Sequence, residues 1–141
     1  MKYSKWPKRD PIKNYFPVPN EVFLLGLSPG ELAVYSYLLF CEDRNTYQCW
    51  PSFKTIRKAT GMSPNTVRKY VRMLEERGLI TTEPTSITTR AGQKRNGNLL
   101  FTIRPIQEAV EQFYQQKMEK ISLDVQRKKT SGTKVRQERP A

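Results

Sequence analysis

The chain has 141 residues, 37% of them apolar, and carries 25 Lys and Arg against 13 Asp and Glu, for a net charge of +12. No apolar run approaches the roughly 18 residues of a membrane-spanning helix, and residues 1–20 lack the apolar stretch of a secretory signal, so a cytoplasmic chain with no membrane partner is expected. Histidine is absent, and Cys41 and Cys49 are too few for a zinc site, which excludes His-based acid–base catalysis, a Ser-His-Asp triad and most metal centres.

The charge is unevenly placed. Residues 1–20, 84–105 and 122–141 each carry a net +4, whereas residues 21–60 are neutral. A basic excess of this kind points to a polyanionic partner, most often nucleic acid. Residues 1–14, broken by Pro7 and Pro11, read as an extended basic arm. In it, Tyr3 and Trp6 among Lys2, Lys5, Lys8 and Arg9 either stack on nucleic acid or fold over the core. The lead-in around Tyr15 and Phe16 follows, kept extended by Pro17 and Pro19.

Ser28 begins a first helix: it is a good N-cap, Pro29 suits the first helical position, and Glu31 completes a capping box. Leu32, Tyr35, Leu38 and Leu39 recur at helical spacing, so the helix should run to Phe40 or Cys41 with one buried face. A polar loop follows, then a short strand over 46–50. Ser52 caps a second helix with Phe53, Ile56 and Ala59 on its apolar side, ended by Gly61 in a left-handed cap. Only Met62 separates Gly61 from Ser63, the next N-cap. The third helix runs from Pro64 to Arg77, burying Val67, Tyr70, Val71 and Leu74, and Gly78 stops it.

Residues 79–83 and 99–103 read as two strands of a hairpin, joined by a long polar and basic loop over 84–98. Pro105 opens a last helix with an apolar stripe of Ile106, Val110, Phe113, Tyr114, Met118 and Ile121. That stripe packs either on the first helix or on its twin in a homodimer. Residues 124–141 turn polar and basic and are expected to be disordered. The reading divides the chain into an arm (1–14), a central domain (15–104), a C-terminal helix (105–123) for packing or dimerisation, and a basic tail (124–141). No second domain that would house a sensing pocket is visible.

Two helices joined within three residues must meet steeply, so the third helix projects from the surface. At 100° per residue its outward face is Asn65, Lys69, Arg72 and Glu76, with Arg68 alongside. Arg can chelate guanine and Asn adenine in the major groove, and the helix N-terminus around Ser63 to Thr66 can hold a phosphate. The bland alternative is a solvated face with Arg72 and Glu76 paired at i,i+4. No glycine-rich phosphate loop and no paired carboxylates are present, so neither a cofactor nor an enzyme is expected.

The order helix, strand, helix, tight turn, helix, strand, basic loop, strand is that of a winged helix. Residues 50–80, WPSFKTIRKATGMSPNTVRKYVRMLEERGLI, resemble the helix-turn-helix of bacterial winged-helix proteins. They are most similar to those of replication initiators and regulators of plasmids, phages and other mobile elements. The lead-in and first helix, residues 15–39, resemble the same group. The implied fold class is mainly α with a small β-hairpin wing (α+β), a winged helix-turn-helix plus a C-terminal helix. The resemblance implies double-stranded DNA as partner, with the third helix in the major groove and the wing on the backbone or minor groove. Carried over by position, the reading surface is Ser63, Asn65, Thr66, Arg68, Lys69 and Arg72, and the wing contacts are Arg90, Lys94 and Arg95. One departure is Arg57, where the group usually has a small residue near the helix crossing. The role implied is sequence-specific binding by a transcription regulator or a replication-initiation module. The alternative is a protein-interaction winged helix, which would need an apolar outward face on the third helix.

Overall fold

The computed structural model is described over residues 15–138, with side chains over 15–130. The expected arm over 1–14, with Tyr3 and Trp6, lies outside the described residues.

A short 3-10 helix, Asn20–Leu24, leads into α1, Pro29–Cys41. The capping box forms as expected: Ser28 Oγ accepts from the Glu31 N–H at 3.3 Å, and Glu31 Oε1 accepts from the Ser28 N–H at 3.3 Å. After a turn at 43–47 the chain makes β1, Gln48–Cys49, shorter than the strand expected over 46–50. Tyr47 at φ 60° takes the backbone out of extended geometry just before it. Then come α2, Phe53–Thr60, and α3, Pro64–Glu76. β2, Ile80–Glu83, and β5, Leu100–Ile103, pair antiparallel, Ile80 opposite Ile103. β1 adds to the other edge of β5, giving the sheet order β1-β5-β2.

The core joins these elements. Val22 and Leu25 from the lead-in meet Val34, Tyr35, Leu38 and Leu39 of α1, Ile56 of α2 and Val67, Val71 and Leu74 of α3. Leu79, Ile80 and Phe101 close it from the sheet side. Ala59, expected on the apolar side of α2, is exposed, so Ile56 alone anchors the centre of that helix.

Two expectations are corrected. Residues 84–98 are not a structureless loop: Ser86–Thr88 (β3) pairs with Lys94–Asn96 (β4) in a hairpin of its own. Its turn is closed by the Gln93 carbonyl accepting from the Thr89 N–H at 2.8 Å, and Gly92 supplies the positive φ of 78° that the turn requires. The second correction concerns the C-terminus. The last helix, α4, spans Ile106–Glu138 and runs through the stretch expected to be disordered. Gln, Arg and Lys are good helix formers, and no proline interrupts them before Pro140, so a basic composition need not end a helix. Ala109 is the α4 residue fully buried, with Ile106, Val110 and Phe113 half-buried. From Tyr114 onward the described helix is exposed.

Candidate nucleic-acid interface

The turn between α2 and α3 is built by backbone chemistry. Gly61 caps α2 at φ 73° and donates its N–H to the Arg57 carbonyl at 2.8 Å. Two residues later Ser63 caps α3, its Oγ accepting from the Thr66 N–H at 3.3 Å. The hydroxyls of Ser63 and Thr66 also bond to each other at 2.7 Å. Pro64, with no N–H to satisfy, takes the first helical position. The two helices are thus fixed with almost no linker.

Burial of Val67, Val71 and Leu74 fixes which way α3 faces. Tyr70 is half-buried, its ring lying directly against Gly30 of α1. The opposite face presents Asn65, Arg68, Lys69 and Arg72, all exposed. Arg68 sits 5.7 Å from the centre of the Phe53 ring, and the Lys69 ammonium 5.7 Å from that of Tyr70. In both contacts the cationic end itself lies against the ring, an exposed attraction of roughly 0.5–1 kcal/mol that an anionic partner can outcompete. Arg72 and Glu76 do not form the ion pair that a merely solvated face would favour; at this end of α3 it is Arg77 that pairs, with Glu31. Ser63 and Thr66, expected on the reading surface, stand at its edge with their hydroxyls committed to the cap.

Arg90, Lys94 and Arg95 form a second basic group on the β3–β4 hairpin, and all three are exposed. Arg95 lies opposite Ile87, which is 57% exposed. The sequence reading missed this apolar residue on the wing; the alternation in Ser86-Ile87-Thr88 was its available signal. The hairpin's base is tied down. Asn98 Nδ2 donates to the Trp50 carbonyl at 3.1 Å, and the Thr85 hydroxyl donates to the Asn98 carbonyl. A Cβ on Gly97 would meet the Thr85 and Ile87 side chains, so glycine lets the strands close there. Between the two basic groups, the Thr82 hydroxyl donates to the Glu75 carboxylate and locks β2 to α3. The departure at Arg57 is harmless, because its side chain is exposed.

Among the described residues no cluster of metal-ligating side chains occurs, and no helix is long and apolar enough to cross a membrane.

Residues 25–80 match the family model described as "Helix-turn-helix domain". No curated protein is significantly similar to the chain. Among solved structures, it resembles a possible transcriptional regulator from Methanosarcina mazei at 16% identity, covering 82% of this chain and 98% of that one, with a TM-score of 0.49. A MarR-like transcriptional regulator from Thermotoga maritima aligns at 17% identity over 89% of this chain and 86% of its own, with a TM-score of 0.42. A probable transcriptional regulator from Pseudomonas aeruginosa aligns at 23% identity over 79% and 78%, with a TM-score of 0.37. Identities and scores this low mark distant resemblance and no more. The turn, the projecting α3 and the β3–β4 hairpin beyond the β2–β5 pair make the fold a winged helix-turn-helix, and the helix-turn-helix family model matches its residues 25–80.

Proposed function

We propose that the chain binds double-stranded DNA sequence-specifically and acts as a transcription regulator. In this reading α3 enters the major groove and Asn65, Arg68, Lys69 and Arg72 contact base edges and adjacent phosphates. Arg90, Lys94 and Arg95 hold the backbone or minor groove from the wing. The observation that carries the reading is the outward face of α3: three cations and an amide, exposed and outside any ion pair, on a helix pinned by its buried face. That face also weighs against the protein-interaction alternative, which needs apolar side chains there. The same contacts would serve a replication-initiation module of a mobile element, since both roles rest on site occupancy.

The proposal extends to assembly. Tyr114, Met118, Ile121 and Val125 are exposed on α4 and follow one another at spacings of four, three and four. That is the seam of a two-stranded coiled coil, and a second copy of the chain supplies the matching one. A two-fold dimer would then present two α3 helices to two half-sites.

The test is selection from a random duplex pool, followed by anisotropy titration at several salt concentrations. Enrichment of a defined motif, with binding that weakens steeply as salt rises, is the expected result. Equal affinity for every duplex and for single strands would overturn the reading.

A further inference from the structure

A cavity of about 460 Å³ opens where four parts of the chain meet, at the end of the domain where α4 departs. Val18 of the lead-in, Tyr35 and Leu39 of α1, Tyr47 before β1, Ile103 ending β5 and Ile106 opening α4 form its apolar walls. Its size falls in the range of roughly 300–1,000 Å³ typical of small-molecule sites, which combine apolar walls with a few polar groups.

Two charged residues reach those walls, and they differ in one respect. The Arg104 guanidinium is already occupied: it donates to both carboxylate oxygens of Glu108, at 3.1 and 2.8 Å. Glu42, at the C-cap of α1, is not satisfied. Its Oε2 is buried and has no hydrogen-bond partner. Burial pushes the Glu42 carboxyl above its ordinary value, and the charge of Arg44 offsets this only in part. Beside it, burial and then the Glu42 charge push the Tyr35 phenol up to about 12. A carboxylate oxygen shut off from water without a donor is costly to keep. Glu42 is half-buried and lines the cavity with the rest of its side chain, where a cationic donor attached to an apolar body would offset that cost.

We propose that this cavity binds a small, flat, largely apolar amine whose ammonium group donates to Glu42 while its ring system fills the space between α1 and the start of α4. A carboxylate or phosphate ligand is disfavoured, because Glu42 repels it and Glu108 already balances the charge of Arg104. The site is separate from α3 and the wing, so it stands or falls independently of the DNA-binding reading.

Tryptamine is a suitable probe, with indole-3-propionate as the acid of the same shape. Backbone amide shifts of the full-length chain are followed by NMR during titration with each. Expected are saturable shifts at Leu39, Glu42, Tyr47, Ile103 and Ile106 with tryptamine and none with the acid. Glu42→Gln should weaken tryptamine about tenfold, the loss of one charge-assisted hydrogen bond. Val18→Trp, which fills the cavity, should abolish binding, with thermal melts confirming that both variants fold. The absence of saturable shifts, equal binding of the acid, or unchanged affinity in Glu42→Gln would each overturn the proposal. So would nuclear Overhauser contacts from the Leu39 and Ile106 methyls to residues 1–14 in the free chain without tryptamine shifts, which would assign the cavity to the chain's own N-terminal segment.

Discussion

Arg77, just past the end of α3, holds Glu31 in the first turn of α1. Its Nε and Nη2 donate to the two carboxylate oxygens, the second at 3.2 Å, and its Nη1 donates to the Leu25 carbonyl at 2.9 Å. Glu31 is only 1% exposed and serves the capping box at the same time. One carboxylate thus begins α1 and anchors the far end of α3. Burial raises the Glu31 carboxyl, but the hydrogen bond from Arg77, the Ser28 N–H and the Arg77 charge outweigh it, and its pKa lies below the ordinary 4.5.

Replacing Arg77 by Ala leaves that carboxylate buried without its cation, and the cost should be about 3 kcal/mol. The sign of the pH dependence follows from the lowered pKa. The pair's contribution is fully present above pH 4.5, the unfolded value, and is lost as pH falls through the lower folded value. Urea denaturation at neutral pH and near pH 3 should therefore show the gap between wild type and Arg77→Ala narrowing in acid. A gap independent of pH would mean that Arg77 stabilises through its carbonyl contacts alone.

Gly30→Ala discriminates between two effects of opposite sign. Helix propensity favours alanine by up to about 1 kcal/mol. A Cβ at residue 30, however, would overlap the Tyr70 ring, and overpacking costs about 1–3 kcal/mol. Net destabilisation is expected, and Tyr70→Ala in the same chain should remove the penalty in a double-mutant cycle. Additive effects would show that Tyr70 swings aside freely.

Local signals carried most of the fold. Ser28, Ser52 and Ser63 each precede a helix, and all three accept the N–H three residues on, because caps are written in adjacent residues. The inward and outward faces of α3 were legible for the same reason: periodicity is local. What was not legible depends on distant segments. Arg77 reads as an ordinary surface residue ending a helix until Glu31, 46 positions away, is placed beside it. The β3–β4 hairpin hid in polar sequence, since its strands are exposed and lack an apolar stripe. The cavity at Glu42 draws its walls from four separate stretches and leaves no pattern in any one of them.

On DNA, the two basic groups should behave differently. Arg68→Ala and Arg72→Ala should each cost about 1–3 kcal/mol on the preferred site and relax the selected motif at particular positions. Replacing Arg90, Lys94 and Arg95 together by Ala should weaken all duplexes nearly equally and flatten the salt dependence, by about 0.9 in slope for each phosphate no longer neutralised. Selection and salt titration read both outcomes. Wing variants that change the motif, with α3 variants that leave it intact, would reverse the assignment of roles.

The exposed seam on α4 makes the assembly testable without DNA. Met118 is 66% exposed and Ile121 49% exposed, and neither packs on the domain's core. Changing both to Glu therefore removes nothing that the single domain needs, so the thermal midpoint extrapolated to low protein concentration should hold. Two such changes in each protomer would place four carboxylates along one dimer seam. Sedimentation equilibrium should then show a dimer for the wild-type chain and a monomer for the variant. If α4 sets the spacing of the two α3 helices, the selected motif should also collapse from a two-fold repeat to a single half-site bound more weakly. A wild-type monomer across the micromolar range, or a Glu variant that still dimerises, would move the interface away from α4.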